Sequence, residues 1–189
     1  MNILHASRHV IGLANNLLYY YRLEAEKEQP EKEIFHLGRT IEDAAHSFLS
    51  VAEKKGLDLV IKVIDSDILV EGDCGRLVQI LNNLISNAVK FTGTGGQIEI
   101  YVYKREDVAE FIVRDNGIGI AEQDQKKVFV EFEQVDSSYT REYEGTGLGL
   151  PLVKKMVEMH GGYVYLKSAL GEGTEVIFLI PLQQGMKKQ

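Results

Sequence analysis

The chain predicts an α+β fold: a two-layer α/β sandwich, a mixed sheet with helices on one face, preceded by a long N-terminal helix. Two observations carry this. Helix-period apolar stripes and period-two strands follow one another irregularly after residue 34, so a doubly wound sheet is not expected. Before that point, Leu4, Ile11, Leu18 and Ala25 recur every seventh residue, with Ala14 and Tyr21 on the intermediate seam.

Residues 2 to 27 therefore read as one helix. Val10, Leu13, Leu17, Tyr19 and Tyr20 widen its apolar surface beyond the seam, so it needs more than one neighbour. Gln29-Pro30 ends it, and Glu31, Lys32 and Glu33 form a charged linker. The domain boundary is placed there, giving segments 1–30 and 31–189. Residues 37–55 read as a helix stopped by Gly56. Leu57 to Ile64 reads as a strand and Leu69-Val70 as a short one. Asp73 to Phe91 is a second helix, with Leu77, Ile80, Leu81, Leu84, Ile85 and Ala88 as its apolar stripe. After a turn at Gly93 to Gly96, Ile98, Ile100 and Val102 alternate with Glu99, Tyr101 and Tyr103 as a half-buried strand, and Phe111 to Val113 is its expected neighbour. Gly149 to His160 is a third helix, closed by Gly161-Gly162. Val164 to Leu166 and Glu175 to Ile180 pair across the Gly171 to Gly173 turn.

Composition narrows the function. At 189 residues, 44% hydrophobic and 26% charged, the chain has the balance of a soluble protein, and a cytoplasmic location is expected. A net charge of -7 argues against nucleic acid as a partner. The single cysteine, Cys74, permits no internal disulfide.

Three short motifs carry the chemistry. On the second helix, Asn83, Asn87 and Lys90 fall at spacings of four and three and share one face, opposite the apolar stripe. An amide oxygen suits magnesium, and a lysine one turn away can reach the same phosphates. The bland alternative is a solvated polar face. Asp115 ends a strand and enters a turn broken by Gly117 and Gly119, followed by Ile120. A carboxylate there can accept hydrogen bonds from an exocyclic amine. A surface Asp-Asn-Gly turn is the bland alternative. Gly145, Thr146, Gly147, Leu148, Gly149 and Leu150 run straight into the third helix, so free N–H groups and the positive dipole end face an anion. The glycine spacing matches neither the dinucleotide fingerprint nor a Walker loop. The polar stretch before it, Ser137 to Glu144, reads as a lid with Arg141 available to phosphate.

Taken together, these motifs resemble the catalytic, ATP-binding domain of sensor histidine kinases (the GHKL or Bergerat type). Asn83 to Thr92 resembles the N box, Asp115 to Ile120 the first glycine box, Phe129 to Phe132 the F box, and Gly145 to Leu150 the second glycine box. Gly72-Asp73, Arg76-Leu77, Gln79, Met159 to Gly162 and Gly171 to Glu175 extend the match across roughly residues 35–182. The resemblance implies ATP and Mg2+ as cofactors. It implies Asn87 as metal ligand with Asn83 nearby, Lys90 on phosphate and Asp115 on the adenine amino group. Gly117 and Gly119 would shape the adenine pocket, Phe129 and Phe132 would pack the lid's base, and Thr174 would sit near the pocket. Gyrase-like relatives carry a glutamate at the place of Asn83 as general base. An amide cannot take that role, so the resemblance implies transfer and not hydrolysis.

The phosphoacceptor histidine of such kinases, with its acidic neighbour and Leu-Arg-Thr-Pro, has no counterpart here. The helix at 2–27 resembles the second helix of the dimerisation hairpin, so the chain reads as a fragment: that helix plus the catalytic domain. His5 and His9 are followed by Ala6 and Val10 and are expected to be ordinary helix residues. His160 is expected to cap a helix, and no catalytic residue is assigned. Expected partners are the missing phosphoacceptor helix, a response-regulator receiver domain and, in the parent, a second copy in a homodimer. Without the first hairpin helix, the apolar faces of the helix at 2–27 must be exposed, fold back on the domain or pair with another copy, and nonnative self-association or fraying of residues 1–20 is expected. Two other readings stand beside this one: a nonenzymatic regulatory module keeping the fold, and a gyrase-like ATPase. Glu144 and Pro151 depart from the family's usual pattern.

Overall fold

Alternation builds the sheet. In the computed structural model, which describes residues 14, 17, 18, 20, 21, 31–64, 68–133 and 147–182, the chain runs β1 (Glu33–His36), α1 (Leu37–His46), α2 (Leu49–Lys55), β2 (Asp58–Val63), β3 (Leu69–Gly72), α3 (Cys74–Phe91), β4 (Gln97–Arg105), β5 (Val108–Asp115), α4 (Gly149–Met159), β6 (Tyr163–Ala169) and β7 (Gly173–Pro181). Five strands form one sheet in the order β2-β4-β5-β7-β6. The β2–β4 pair is parallel and the other pairs are antiparallel, so the sheet is mixed, as expected.

Every second residue of the central strands turns to the helices. Ile98, Ile100, Val102, Ala109, Phe111, Val113, Val176, Phe178 and Ile180 are all buried. Phe111 and Phe178 lie opposite each other in register and stack with ring centroids 4.3 Å apart. Burial of such aromatic pairs contributes more than area alone, by about 0.5–1.5 kcal/mol. The α3 stripe predicted from periodicity is buried throughout. Asp73 caps α3, accepting from the Arg76 N–H at 2.9 Å and pairing with the Arg76 guanidinium at 3.1 Å. At the other end, the Lys55 ammonium donates to the carbonyls of Val89 and Lys90, where the helix dipole favours a cation.

Two expectations need correction. The helix of 37–55 is two helices. The Phe48 N–H bonds the Ala45 carbonyl three residues back, and the Ser47 hydroxyl takes the Ala44 carbonyl at 2.6 Å. Serine offers the backbone a local alternative there, and the helix restarts at Leu49. The charged linker, moreover, runs into a strand. β1 pairs antiparallel with β3, turning Phe35 and Val70 inward and leaving Ile34 exposed. Gly56 stops α2 as read, at φ +70.

Of the N-terminal helix, Ala14, Leu17, Leu18, Tyr20 and Tyr21 are described, and all are helical. Tyr20 is buried in the domain's core cluster, Leu17 packs against it, and the Tyr20 hydroxyl donates to the Glu131 carboxylate. Tyr20 and Leu17 thus fold back on the domain, while Leu18 and Tyr21 are exposed. His5 and His9 lie outside the described residues.

Candidate functional site

Both ends of the candidate site hang on α3. Asn83 and Asn87, four residues apart, face the start of α4. The Asn83 amide nitrogen donates to the Gln79 carbonyl at 2.9 Å, which fixes the orientation of its carboxamide. A Cβ placed on Gly149, the first residue of α4, would lie 3.5 Å from Asn87 Nδ2 and 3.8 Å from Asn83 Oδ1. Among the described residues no side chain caps the start of α4. The Gly149 and Leu150 N–H groups precede the first amide with an intrahelical partner, Leu152 to Leu148, while Pro151 has no N–H to place. An uncapped helix start facing two carboxamides is suited to an anion and to the hard cation that accompanies it. Of the residues preceding α4, Gly147 is held at φ +69, and its carbonyl accepts from the Phe132 N–H at 3.3 Å. Leu148 is buried in the core and Leu150 is half-buried.

At the other end, Asp115 closes β5. Its Oδ1 accepts from the Gly117 N–H at 2.8 Å, and the carboxyl also takes the Thr174 N–H. Burial pushes its pKa above the ordinary 3.8, and those two N–H donors pull it back in part. The glycine turn after it is jammed against backbone. A Cβ on Gly117 would stand 2.4 Å from the Phe91 carbonyl oxygen, and one on Gly119, at φ +66, 1.9 Å from that of Ala169. Only glycine fits either place. The Ile118 N–H bonds the Phe91 carbonyl and the Gly171 N–H bonds that of Ile118, which ties the turn to α3 and to the β6–β7 hairpin. Register sets Thr174 directly opposite Asp115 and Ser168 opposite Thr174, all on the helix side of the sheet. The Ile120 N–H donates to Ser168 Oγ at 2.8 Å, and the Gln125 amide bonds the Ile120 and Ser168 carbonyls.

The structure thus brings Asn83, Asn87 and Gly149 together at one end, and Asp115, Gly117, Gly119, Ile120 and Thr174 at the other. Lys90 lies between, its ammonium 4.7 Å from the Phe91 ring centroid. Arg141, Gly145 and Thr146 lie outside the described residues, as does the predicted lid. Phe129 packs against the core cluster, and Phe132 is exposed at φ +61 with its backbone bonded to Gly147; the lid whose base both were expected to pack lies outside the described residues. His160 caps α4, with its Nδ1 2.8 Å from the Met156 carbonyl oxygen. Sequence reasoning missed Ser168 and Gln125. For Ser168 the signal was present in the hairpin: extending the β6–β7 pairing to the Gly171 turn sets it beside Thr174.

Comparison with known proteins shows the family and the fold. Residues 72–184 match the family described as histidine kinase-, DNA gyrase B- and HSP90-like ATPase. The circadian input-output histidine kinase CikA of Synechococcus elongatus is 38% identical over 183 residues, covering 94% of this chain and 24% of that protein. The catalytic domain of histidine kinase ThkA, in a nucleotide-free form, superposes with a TM-score of 0.71 at 29% identity, over 80% of this chain and 96% of that one. Full-length ShkA in complex with AMPPNP gives 0.84 at 28%, over 96% of this chain and 37% of that one. The chain spans only between about a fifth and a third of the length of three curated relatives it matches: 24%, 35% and 22%. Among the described residues no helix is long and apolar enough to cross a membrane.

Proposed function

Because this chain belongs to the histidine kinase-, DNA gyrase B- and HSP90-like ATPase family, we propose that it is the ATP-binding catalytic part of a two-component sensor histidine kinase, presenting Mg-ATP for transfer of the γ-phosphoryl group to a histidine supplied from outside it. The observation that supports this most is the pairing of two unlike ends on one helix: a part-buried carboxyl in a glycine turn, and a carboxamide pair facing an uncapped helix start.

In this reading Asp115 accepts from the adenine amino group. The Gly149 and Leu150 N–H groups and Lys90 take phosphate oxygens. Asn87, with Asn83 beside it, holds the magnesium; a neutral oxygen donor suits an ion whose remaining ligands are phosphates and waters. The ion neutralises phosphate charge when bound. This chain's residues do the rest by position and electrostatics. In the transfer, the bond from the γ-phosphorus to the β–γ bridging oxygen breaks, a phosphorus–nitrogen bond to the imidazole forms, ADP leaves, and the imidazole gives its proton to a base that, like the histidine, is supplied from outside this chain. Asn83 argues against a gyrase-like hydrolase, since an amide cannot accept the proton of an attacking water. Segment 1–30 would be the second helix of the dimerisation hairpin and 31–189 the catalytic domain. The phosphoacceptor helix, a second copy of the parent and a response-regulator receiver domain would be the partners. One solved relative, ThkA, is in complex with the response regulator TrrA.

The test is an equilibrium titration with a nonhydrolysable ATP analogue, with and without magnesium, followed by incubation with labelled ATP and a separate hairpin carrying an acceptor histidine. Magnesium-dependent binding and labelling of the hairpin alone are expected. No binding would favour a regulatory module that keeps the fold, and steady hydrolysis without acceptor would favour the gyrase-like reading.

A further inference from the structure

The hydroxyl of Ser168 has a hydrogen-bond inventory that closes, and the way it closes bears on the choice of base. A serine hydroxyl has one proton and two lone pairs. Ser168 Oγ lies 2.7 Å from the Gly173 carbonyl oxygen, which can only accept, so the proton goes there. The Ile120 N–H, which can only donate, takes one lone pair at 2.8 Å. One lone pair is left, and the remaining neighbour is Thr174 Oγ1 at 2.9 Å. That contact must run from Thr174 to Ser168. Thr174's only hydroxyl proton is therefore committed away from Asp115, and its oxygen offers lone pairs alone.

Register puts Thr174 between Ser168 and Asp115 on one face of the sheet. An ionised Asp115 is also an acceptor only. The N–H groups that reach its carboxyl, from Gly117 and Thr174, are already spent on it. Around this carboxyl the side chains thus present acceptors. That pattern suits an exocyclic amine and disfavours a carbonyl, because a buried carbonyl facing lone pairs loses its water without gaining a partner.

We propose that Ser168 is a specificity-determining residue: by taking the Thr174 proton it makes the base pocket select a 6-amino over a 6-oxo purine. This rests on the reading that Asp115 binds the adenine. A hypoxanthine base could still donate its N1–H to Asp115, which turns its 6-carbonyl toward Thr174. With Ser168 in place that carbonyl meets a lone pair. Without it, Thr174 can rotate and donate.

The test compares the affinities of adenosine and inosine 5′-triphosphates for the full chain and for S168A, S168T and T174V, with thermal melting to check folding. Wild type should prefer the adenine nucleotide. In S168A the preference should shrink about three- to tenfold, the worth of one hydrogen bond, mainly through tighter inosine binding, and S168T should keep it. Equal weakening of both nucleotides in S168A, with the preference unchanged, would mean that Ser168 only holds the turn, and the proposal fails. If S168A does not fold, T174V decides: removing the oriented oxygen should shrink the preference through loss of adenine affinity, and an unchanged preference overturns the idea. A wild type that binds neither nucleotide sinks the reading of Asp115 itself, a distinct outcome.

Discussion

The two ends of the site are built from different materials. At the base end the walls are backbone: a Cβ on Gly119 would come within 1.9 Å of a carbonyl oxygen, and one on Gly173 within 2.0 Å of another. At the phosphate end the first residue of α4 faces side chains, and a Cβ on Gly149 would meet the nearest at an ordinary 3.5 Å, although one on Gly147, two residues before, would come within 2.9 Å of the Phe132 backbone. Backbone held in a hydrogen-bonded sheet cannot adjust, so the base end is shaped before any ligand arrives. The Asn87 carboxamide, unlike that of Asn83, can turn on its helix, which suits a metal and phosphates that bring waters and charge with them. Shape is settled at one end, and charge is accommodated at the other.

The largest effect that can test this contrast is Gly119→Ala. The methyl must displace the Ala169 backbone, and alanine at φ +66 is itself strained. A loss of about 2–4 kcal/mol is expected, read as a melting temperature lower by roughly 5–15 °C for a domain of this size. A melting temperature within a degree or two of wild type would mean that the turn is adjustable and that the contrast between the ends is wrong.

Next comes Asp115→Asn, which keeps shape and removes charge. Hydrogen bonds to charged groups contribute about 1.5–3 kcal/mol, so nucleotide affinity should fall about 10- to 150-fold at neutral pH while the fold survives. The raised pKa of Asp115 adds a pH signature. The folded state holds this proton more tightly than the unfolded chain, so the free protein loses stability from this group as pH rises from the ordinary 3.8 through the folded pKa. Nucleotide binding runs the other way: it needs the carboxylate and weakens as pH falls through the same window. Across that window the difference between wild type and variant should carry the two opposite trends, one in melting curves and the other in titrations.

How much of this was readable in advance depends on the range of the interactions. The α3 stripe and the Asn83, Asn87, Lys90 face were legible because helical period alone sets which residues share a side. The central strands were legible by alternation. The break between α1 and α2 was not, since Ser47 differs from any exposed serine only in where its hydroxyl turns. β1 was hidden because only Phe35 of its four residues faces inward, next to an exposed Ile34, and its partner strand β3 lies far along the chain. At the site, Asp115 was legible from its glycines. Ser168 could be placed beside Thr174 by extending the hairpin register, but its role depends on which atom holds a proton, and that leaves no mark in composition or spacing.

Asn87→Ala moves the test to the phosphate end. In the proposed reading it removes a metal ligand and no structural contact of consequence. Magnesium's enhancement of nucleotide binding should fall about tenfold, the order of one polar contact, while affinity without magnesium and the melting temperature hold. Equal losses with and without the ion would show that Asn87 contacts phosphate or supports the helix instead.

The smallest effect expected is from Gly149→Ala, and it is the counterpart of the first substitution. The same methyl is added, but here at the first residue of a helix, without a positive φ, and into van der Waals contact with Asn87. Alanine narrows the unfolded ensemble where glycine widens it, so stability should rise by about 0.4–1 kcal/mol. In melting temperature that is roughly 1–4 °C upward. Affinity for nucleotide without magnesium should stay within about threefold, less than one hydrogen bond's worth. The magnesium-dependent part is the place to look for a loss, because the methyl stands between α4 and the two carboxamides. A fall in melting temperature approaching that of Gly119→Ala would show that the start of α4 is as tightly constrained as the base turn. The phosphate end would then be preformed too, and the division between a rigid base pocket and an adaptable phosphate cradle would have to be given up.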